Sequence, residues 1–379
     1  MLKKLFILLL PVSIYYENIN YLIIFVIFYK LFQIIYNYES LTIEDQYHNE
    51  RKDAIIYCTM EYDSENYFEN ILENLEHKLI KYNHNYNSYQ STNKIYYCNI
   101  YYDKYKFLEN NNYHYKFFID RKKLKVYCYL NHEFIGGSYL LTLFHCFIEQ
   151  PQKSSKILFP KSSIFNIIYC LKLLYNYNNI TKSFIPLPLV SKKNEIKRYK
   201  KYFNIPLNQK YSSKSVIIYE ILKNIYKGLS LNRPLICYLP IAFQEYPNIK
   251  NNIGVMCIKF DNQNETVETI DKKIYYSRYQ VAATNTLLLY KSFNKSKGSS
   301  VRKSVDVIIS FMLAKENNAD FNVSWTYENV GEYPVYVAVS SVMKNDEIEV
   351  TQTITLNTSC LDLSFDDSFN EINLSEYKL

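Results

Sequence analysis

The clearest periodicity in the chain is Glu347–Leu356 (EIEVTQTITL), where β-branched and polar residues alternate. A period of two places successive side chains on opposite faces, so this segment is predicted to be a strand. Strands are also predicted at Ala54–Tyr62, Ile95–Tyr102, Lys125–Leu130, Pro234–Pro240, Ile253–Phe260, Phe321–Tyr327, Val335–Val342 and Leu361–Phe365. Helical spacing marks Ser64–Lys81, where Tyr67, Phe68, Ile71, Leu72, Leu75, Leu79 and Ile80 fall on one stripe. Lys214–Lys227, Ile270–Tyr290 and Ser304–Lys315 also read as helices. So do the stretch from Gly137 to Glu149 and the apolar run Ile164–Tyr177. Strands and helices mix in both halves, which predicts an α/β (α+β) architecture of two lobes.

The first residues differ from the rest. Leu5–Tyr16 is almost continuously apolar, broken by Pro11, and Tyr21–Tyr36 is a second apolar run interrupted by Lys30 and Gln33. Neither reaches the roughly 20 residues of a transmembrane helix. Lys3-Lys4 precedes an apolar stretch, but no small-residue cleavage site follows it. A bent span, a shallow hairpin, an interfacial anchor with tyrosines at headgroup level, and a helix pair packed on the body all fit this pattern. We take 1–39 as a membrane-associated segment, 40–177 as the first lobe, 178–212 as a linker and 213–379 as the second lobe. The linker reading comes from Pro186, Pro188, Pro206 and several lysines.

Composition narrows the function classes. The chain has 379 residues, about half of them hydrophobic, which argues against global disorder. Lys, Asn, Ile and Tyr are abundant, and all four have A/T-rich codons. The net charge of +7 is therefore a weak clue. The lysines are spread along the chain and no nucleic-acid reader motif is present, so no nucleic-acid partner is expected. None of the eight cysteines forms a CxxC pair, and several sit in apolar runs. They read as buried reduced thiols, and no metal site is expected. There is no phosphate-cradling glycine loop, no HExxH and no GxSxG. The sequon Asn264-Glu265-Thr266 is expected by chance in an Asn-rich chain.

The segment Lys125–Ser138 (KVYCYLNHEFIGGS) carries the candidate chemistry. An alternating strand ends at Asn131-His132, the Gly136-Gly137 turn follows, and then an apolar helix. This places one of only six histidines at a strand end, beside backbone that can approach a ligand closely. A histidine there can equally be structural, held by one hydrogen bond, and Gly136-Gly137 can be only a turn. His145 reads as a helix-face residue, and Glu133 as solvent-exposed.

The segment resembles the HHxxxDG motif of the CoA-dependent acyltransferase superfamily, which includes chloramphenicol acetyltransferase and peptide-synthetase condensation domains. The second His and the last Gly of the motif match His132 and Gly137, whereas Asn131 stands for the first His and Gly136 for the Asp. Two further segments carry the likeness. Leu239-Pro240-Ile241 followed by Asn251-Asn252-Ile253-Gly254 is similar to the family's second-lobe strand and loop. Val323–Tyr336 (VSWTYENVGEYPVY) resembles the NVPGP-like block of wax ester synthase/diacylglycerol acyltransferases.

The resemblance implies two similar chloramphenicol-acetyltransferase-like lobes with a central tunnel, and His132 as general base. A neutral imidazole has a pKa suited to taking a proton from an acceptor hydroxyl. The developing oxyanion would need donors, and Ser324, Trp325 and Asn329 are the candidates. The function this implies is transfer of a fatty acyl group from acyl-CoA to a lipid alcohol or diacylglycerol, with acyl-CoA as co-substrate and no cofactor. The body would be membrane-associated and face the cytosol, where acyl-CoA is found. Gly136 cannot make the ion pair of the family Asp, and this opens the alternative of an inactive relative acting as a membrane-tethered lipid-binding or scaffold protein. A carrier-protein thioester is a third donor class, although no carrier domain is visible in the chain.

Overall fold

The computed structural model describes residues 55–73, 75, 98–102, 115–131, 187–189, 196–207, 210–242, 253–275, 277, 305–314, 321–328, 333–345, 347–358 and 365–377. The apolar segment 1–39, the predicted helices at Gly137–Glu149 and Ile164–Tyr177, and most of Leu361–Phe365 lie outside these. Among the described residues no helix is long and apolar enough to cross a membrane.

Among the described residues twelve strands run in chain order. They are β1 (Ile55–Tyr62), β2 (Cys98–Tyr101), β3 (Tyr115–Asp120), β4 (Lys125–Asn131), β5 (Lys197–Pro206), β6 (Leu235–Ala242), β7 (Ile253–Phe260), β8 (Val307–Ala314), β9 (Phe321–Tyr327), β10 (Val335–Lys344), β11 (Glu347–Leu356) and β12 (Asn370–Glu371). Three helices accompany them: α1 (65–73), α2 (Ser213–Gly228) and α3 (267–275). The strands form a five-stranded sheet, β2-β3-β4-β1-β9, and a seven-stranded sheet, β12-β5-β11-β10-β8-β6-β7.

Local chemistry accounts for several of these elements. The β3–β4 hairpin turns where Asp120 Oδ1 accepts from the backbone N–H groups of Lys122 and Lys123, with Leu124 in the left-handed region at φ 49°. Helix α2 starts at Ser212, whose Oγ accepts from the Ser215 N–H at 3.2 Å. Its face Ile217, Ile218, Ile221, Leu222 and Ile225 is buried against one side of the seven-stranded sheet, with Val307, Val337, Val350 and Ile354. The other side of that sheet supplies Ile236, Tyr238, Ile308, Met312, Tyr336 and Ala338 to a second core. There they meet Phe68, Ile71 and Leu75 of the first helical run and Ile56, Cys58, Met60 and Trp325 of the five-stranded sheet. That core holds the two sheets together. The opposite face of the five-stranded sheet is covered by Ile372, Leu374 and Tyr377 near the C-terminus.

Three expectations change. Ser304–Lys315 is not a helix, because residues 307–314 form β8, parallel to both β6 and β10. Its apolar run is buried on both faces and so carries no alternation. The stretch 178–212 is not only a connector, since it contains β5, ten residues long and paired with β11 from Lys197↔Leu356 to Pro206↔Glu347. The lobes also exchange chain. β9 leaves the second half and completes the first sheet, antiparallel to β1 from Ile56↔Tyr327 to Tyr62↔Phe321.

Candidate functional site at one end of the five-stranded sheet

β4 ends at Asn131, which pairs with Ile55 at the start of β1. On the other side of β1, the N–H of Glu328 donates to the Ile55 carbonyl at 2.9 Å, just past the end of β9. The strand that runs into His132 and the strand that runs into Asn329 therefore finish at the same end of one sheet, with only β1 between them. At the usual strand spacing their backbones are about 10 Å apart. Sequence positions about 200 residues distant are brought together by the crossing of β9, not by local folding. His132, Gly136, Gly137 and Asn329 themselves lie outside the described residues.

Glu328 is fixed from three directions. Besides its N–H bond to Ile55, its carboxylate accepts from the Tyr57 hydroxyl at 3.0 Å. Its carbonyl accepts from Arg198 Nη2 at 2.9 Å, and the same nitrogen lies 3.3 Å from the Tyr327 carbonyl. Arg198 comes from β5 in the other sheet and is 8% exposed. Burial pulls its guanidinium pKa down, while the charge of Glu328 opposes that shift. Its Nε is buried, with no hydrogen-bond partner among the described residues. The sequence reading did not single out Arg198. The signal available was its place in the alternation of β5, where Tyr199 points to the α2 side and Arg198, beside Thr355, to the opposite side.

Ser324 and Trp325 are neighbours on β9 and so face opposite ways. Trp325 joins the core between the sheets, and its indole N–H donates to the Val339 carbonyl at 3.2 Å. Ser324 faces a layer of hydroxyls. Its Oγ lies 2.8 Å from Thr59 Oγ1, and Tyr377 also bonds it. Thr326 meets Thr355 at 3.3 Å, and Thr353 meets the Tyr377 hydroxyl at 3.5 Å. The structure therefore does not bring Ser324 and Trp325 onto one face as a joint donor set. Both side chains are engaged within the protein.

Cys58, Cys128 and Cys237 are buried, and burial pushes the Cys58 thiol pKa well above its ordinary value. Among the described residues no group of three or more His, Cys, Asp or Glu side chains is arranged to hold a metal ion.

No family model and no curated protein matches the chain. Solved structures similar to it are condensation and epimerization domains of peptide synthetases. A variant of the starter condensation domain of rhizomide synthetase, in complex with C8-CoA, aligns over 84% of this chain and 89% of its own, at 7% identity and a TM-score of 0.48. The epimerization domain from the third module of tyrocidine synthetase B covers 83% and 90%, at 10% identity and a TM-score of 0.47.

Proposed function

We propose that the chain is an acyltransferase that moves an acyl group from a CoA thioester to an acceptor hydroxyl, with His132 as general base. The imidazole takes the hydroxyl proton as the oxygen attacks the thioester carbonyl. The C–S bond then breaks, and the CoA thiol leaves with the proton returned to sulfur. The acceptor class we assign is a lipid alcohol or diacylglycerol, consistent with the apolar segment 1–39 keeping the body at a membrane.

The observation that carries this reading is the shared sheet end. The segment with His132, Gly136 and Gly137 and the segment with Asn329-Val330-Gly331 both carry the acyltransferase resemblance and lie far apart in the sequence. The strands that lead into them end on either side of Ile55. A base from one segment and a hydrogen-bond donor such as Asn329 from the other would then serve the same reacting carbonyl. A second reading rests on Gly136, which stands where an ion-pairing Asp would be. Under it the chain binds acyl-CoA or lipid without turnover.

The test is thiol release from palmitoyl-CoA by the detergent-solubilised full chain, with and without a long-chain alcohol or diacylglycerol, beside His132→Ala. Acceptor-dependent release that is lost in the variant supports transfer with His132 as its base. Equal background from both proteins, with the variant folded, favours the non-catalytic reading.

A further inference from the structure

We propose that Arg198 is a positioning residue of this transfer site, holding the end of β9 in register with the strand that leads into His132. The inference rests on the transfer reading above and names the device that sets its geometry.

Two sheets must keep a fixed relation for a base on one strand end and a donor beyond another to act together. β9 is an edge strand of the five-stranded sheet and has only β1 as its neighbour there. Its last turn outward, at Tyr327 and Glu328, is held from the other sheet by Arg198 Nη2 on two consecutive carbonyls. The arginine is itself anchored, because its own carbonyl accepts from the Ile372 N–H at 2.9 Å, next to the β12–β5 pairing. Tyr57 completes the clamp from the β1 side by donating to the Glu328 carboxylate.

The chemistry of the clamp is directional. A planar guanidinium on two carbonyls sets both the distance and the angle of the strand end, and an ammonium group on a flexible stem does not. The charge of Glu328 offsets only part of the cost of burying the guanidinium. Among the described residues Nε–H has no hydrogen-bond partner. Packing alone does not ask for this, since an apolar pair would fill such a junction without burying a charge. What the arginine supplies is a fixed position for residue 328, next to the segment assigned to the reaction.

The experiment uses the full chain and compares wild type, Arg198→Met, Arg198→Lys and Tyr57→Phe. It reads kcat and KM for acceptor-dependent thiol release, and hydrogen exchange by mass spectrometry over 321–328. Misplacement of a reacting group by about 1 Å costs on the order of 100-fold in rate. Arg198→Met is therefore expected to lower kcat about 10- to 100-fold, with KM within about threefold. The exchange of 321–328 should quicken, and Arg198→Lys should recover little of the rate. Tyr57→Phe should shift both readouts in the same direction, by less, and it decides the matter if Arg198→Met does not fold. Unchanged kcat in a folded variant whose strand end exchanges faster overturns the proposal while leaving the transfer reading intact. Unchanged exchange overturns it as well. Absence of acceptor-dependent release from wild type sinks the transfer reading and this one together.

Discussion

Arg233 and Asp306 form an ion pair at the mouth of the seven-stranded sheet, with Arg233 Nη2 2.7 Å from Asp306 Oδ1 and the aspartate side chain fully buried. The same carboxylate accepts from the backbone N–H of Leu187 at 2.9 Å and of Ile236 at 3.2 Å. It thus joins the chain ahead of β5 to the start of β6 and, through its own backbone, to β10 at Val335. Asp306 is fully buried but the Arg233 side chain is 31% exposed, so solvent screens part of the loss and Arg233→Met is expected to cost about 2–4 kcal/mol.

The pH dependence of that variant follows from the direction of the shift. Burial already raises the Asp306 carboxyl pKa, while Arg233 and the two N–H donors pull it back. Without Arg233 the folded-state value moves further up. The folded chain then binds more protons than the unfolded chain above the ordinary value of 3.8, and stability falls as pH rises through that window. Urea unfolding should show a larger deficit at pH 7 than at pH 4.5. A deficit independent of pH would mean that Asp306 is not the group responsible.

Trp325 offers a direct view of the junction between the sheets. It is the only tryptophan of the chain and is 3% exposed. Its emission should be blue-shifted in the native protein and move to the red in a single step on unfolding. Trp325→Phe keeps a ring in the core but removes the indole N–H bond to the Val339 carbonyl. Loss of that bond and of ring volume should cost about 1–3 kcal/mol by chemical denaturation. A native emission maximum typical of exposed indole would contradict the burial.

The elements that could be read from the sequence are those in which apolar side chains take one face and polar ones the other, whether or not the polar face is buried. Ile253–Phe260, Phe321–Tyr327 and Glu347–Leu356 coincide with β7, β9 and β11 to the residue. The β8 sequence reads as a helix because Ile308 and Met312 enter one core while Val307 and Ile309 enter the other. Such a strand has no period of two to detect. β3 was missed because Lys116 occupies a buried position beside Tyr129, which breaks the apolar pattern of YKFFID. The crossing of β9 into the first sheet is a non-local pairing with no local signal. No local pattern shows that the strands leading into the His132 and Asn329 segments end on either side of Ile55, nor that Arg198 holds the Tyr327 and Glu328 carbonyls from the other sheet.

Gly228 closes α2 directly beneath the Phe365 ring. A Cβ built there would lie 2.1 Å from the nearest ring carbon. The ring cannot simply swing away, because it packs on Tyr199 at 4.9 Å and Phe369 at 4.8 Å between centroids. Gly228→Ala is therefore expected to destabilise by about 1–3 kcal/mol through overpacking, although alanine is the better helix former. Adding Phe365→Leu should recover part of the loss, giving a non-additive double mutant. Additive effects would show that the helix end moves freely without the ring.

Lys214 carries a charge that the fold tolerates at a cost. It stands in the first turn of α2, half-buried, with its Nζ 5.1 Å from the centre of the Phe311 ring and no ion-pair partner among the described residues. The ring face offsets part of the lost hydration, yet burial pulls the ammonium pKa from 10.5 down to about 8. Between those values the unfolded chain holds the proton and the folded chain releases it. Stability contributed by this site therefore rises with pH from about 8 to 10.5, and below pH 8 the full cost is present. Lys214→Met removes the charge and keeps the stem. At pH 7 it should be more stable than wild type by on the order of 1–3 kcal/mol, discounted for partial exposure. By pH 9.5 the gap should have narrowed as wild type sheds its proton. Urea midpoints at the two pH values measure this directly. Equal midpoints at pH 7 would mean that the ammonium reaches water in the native state.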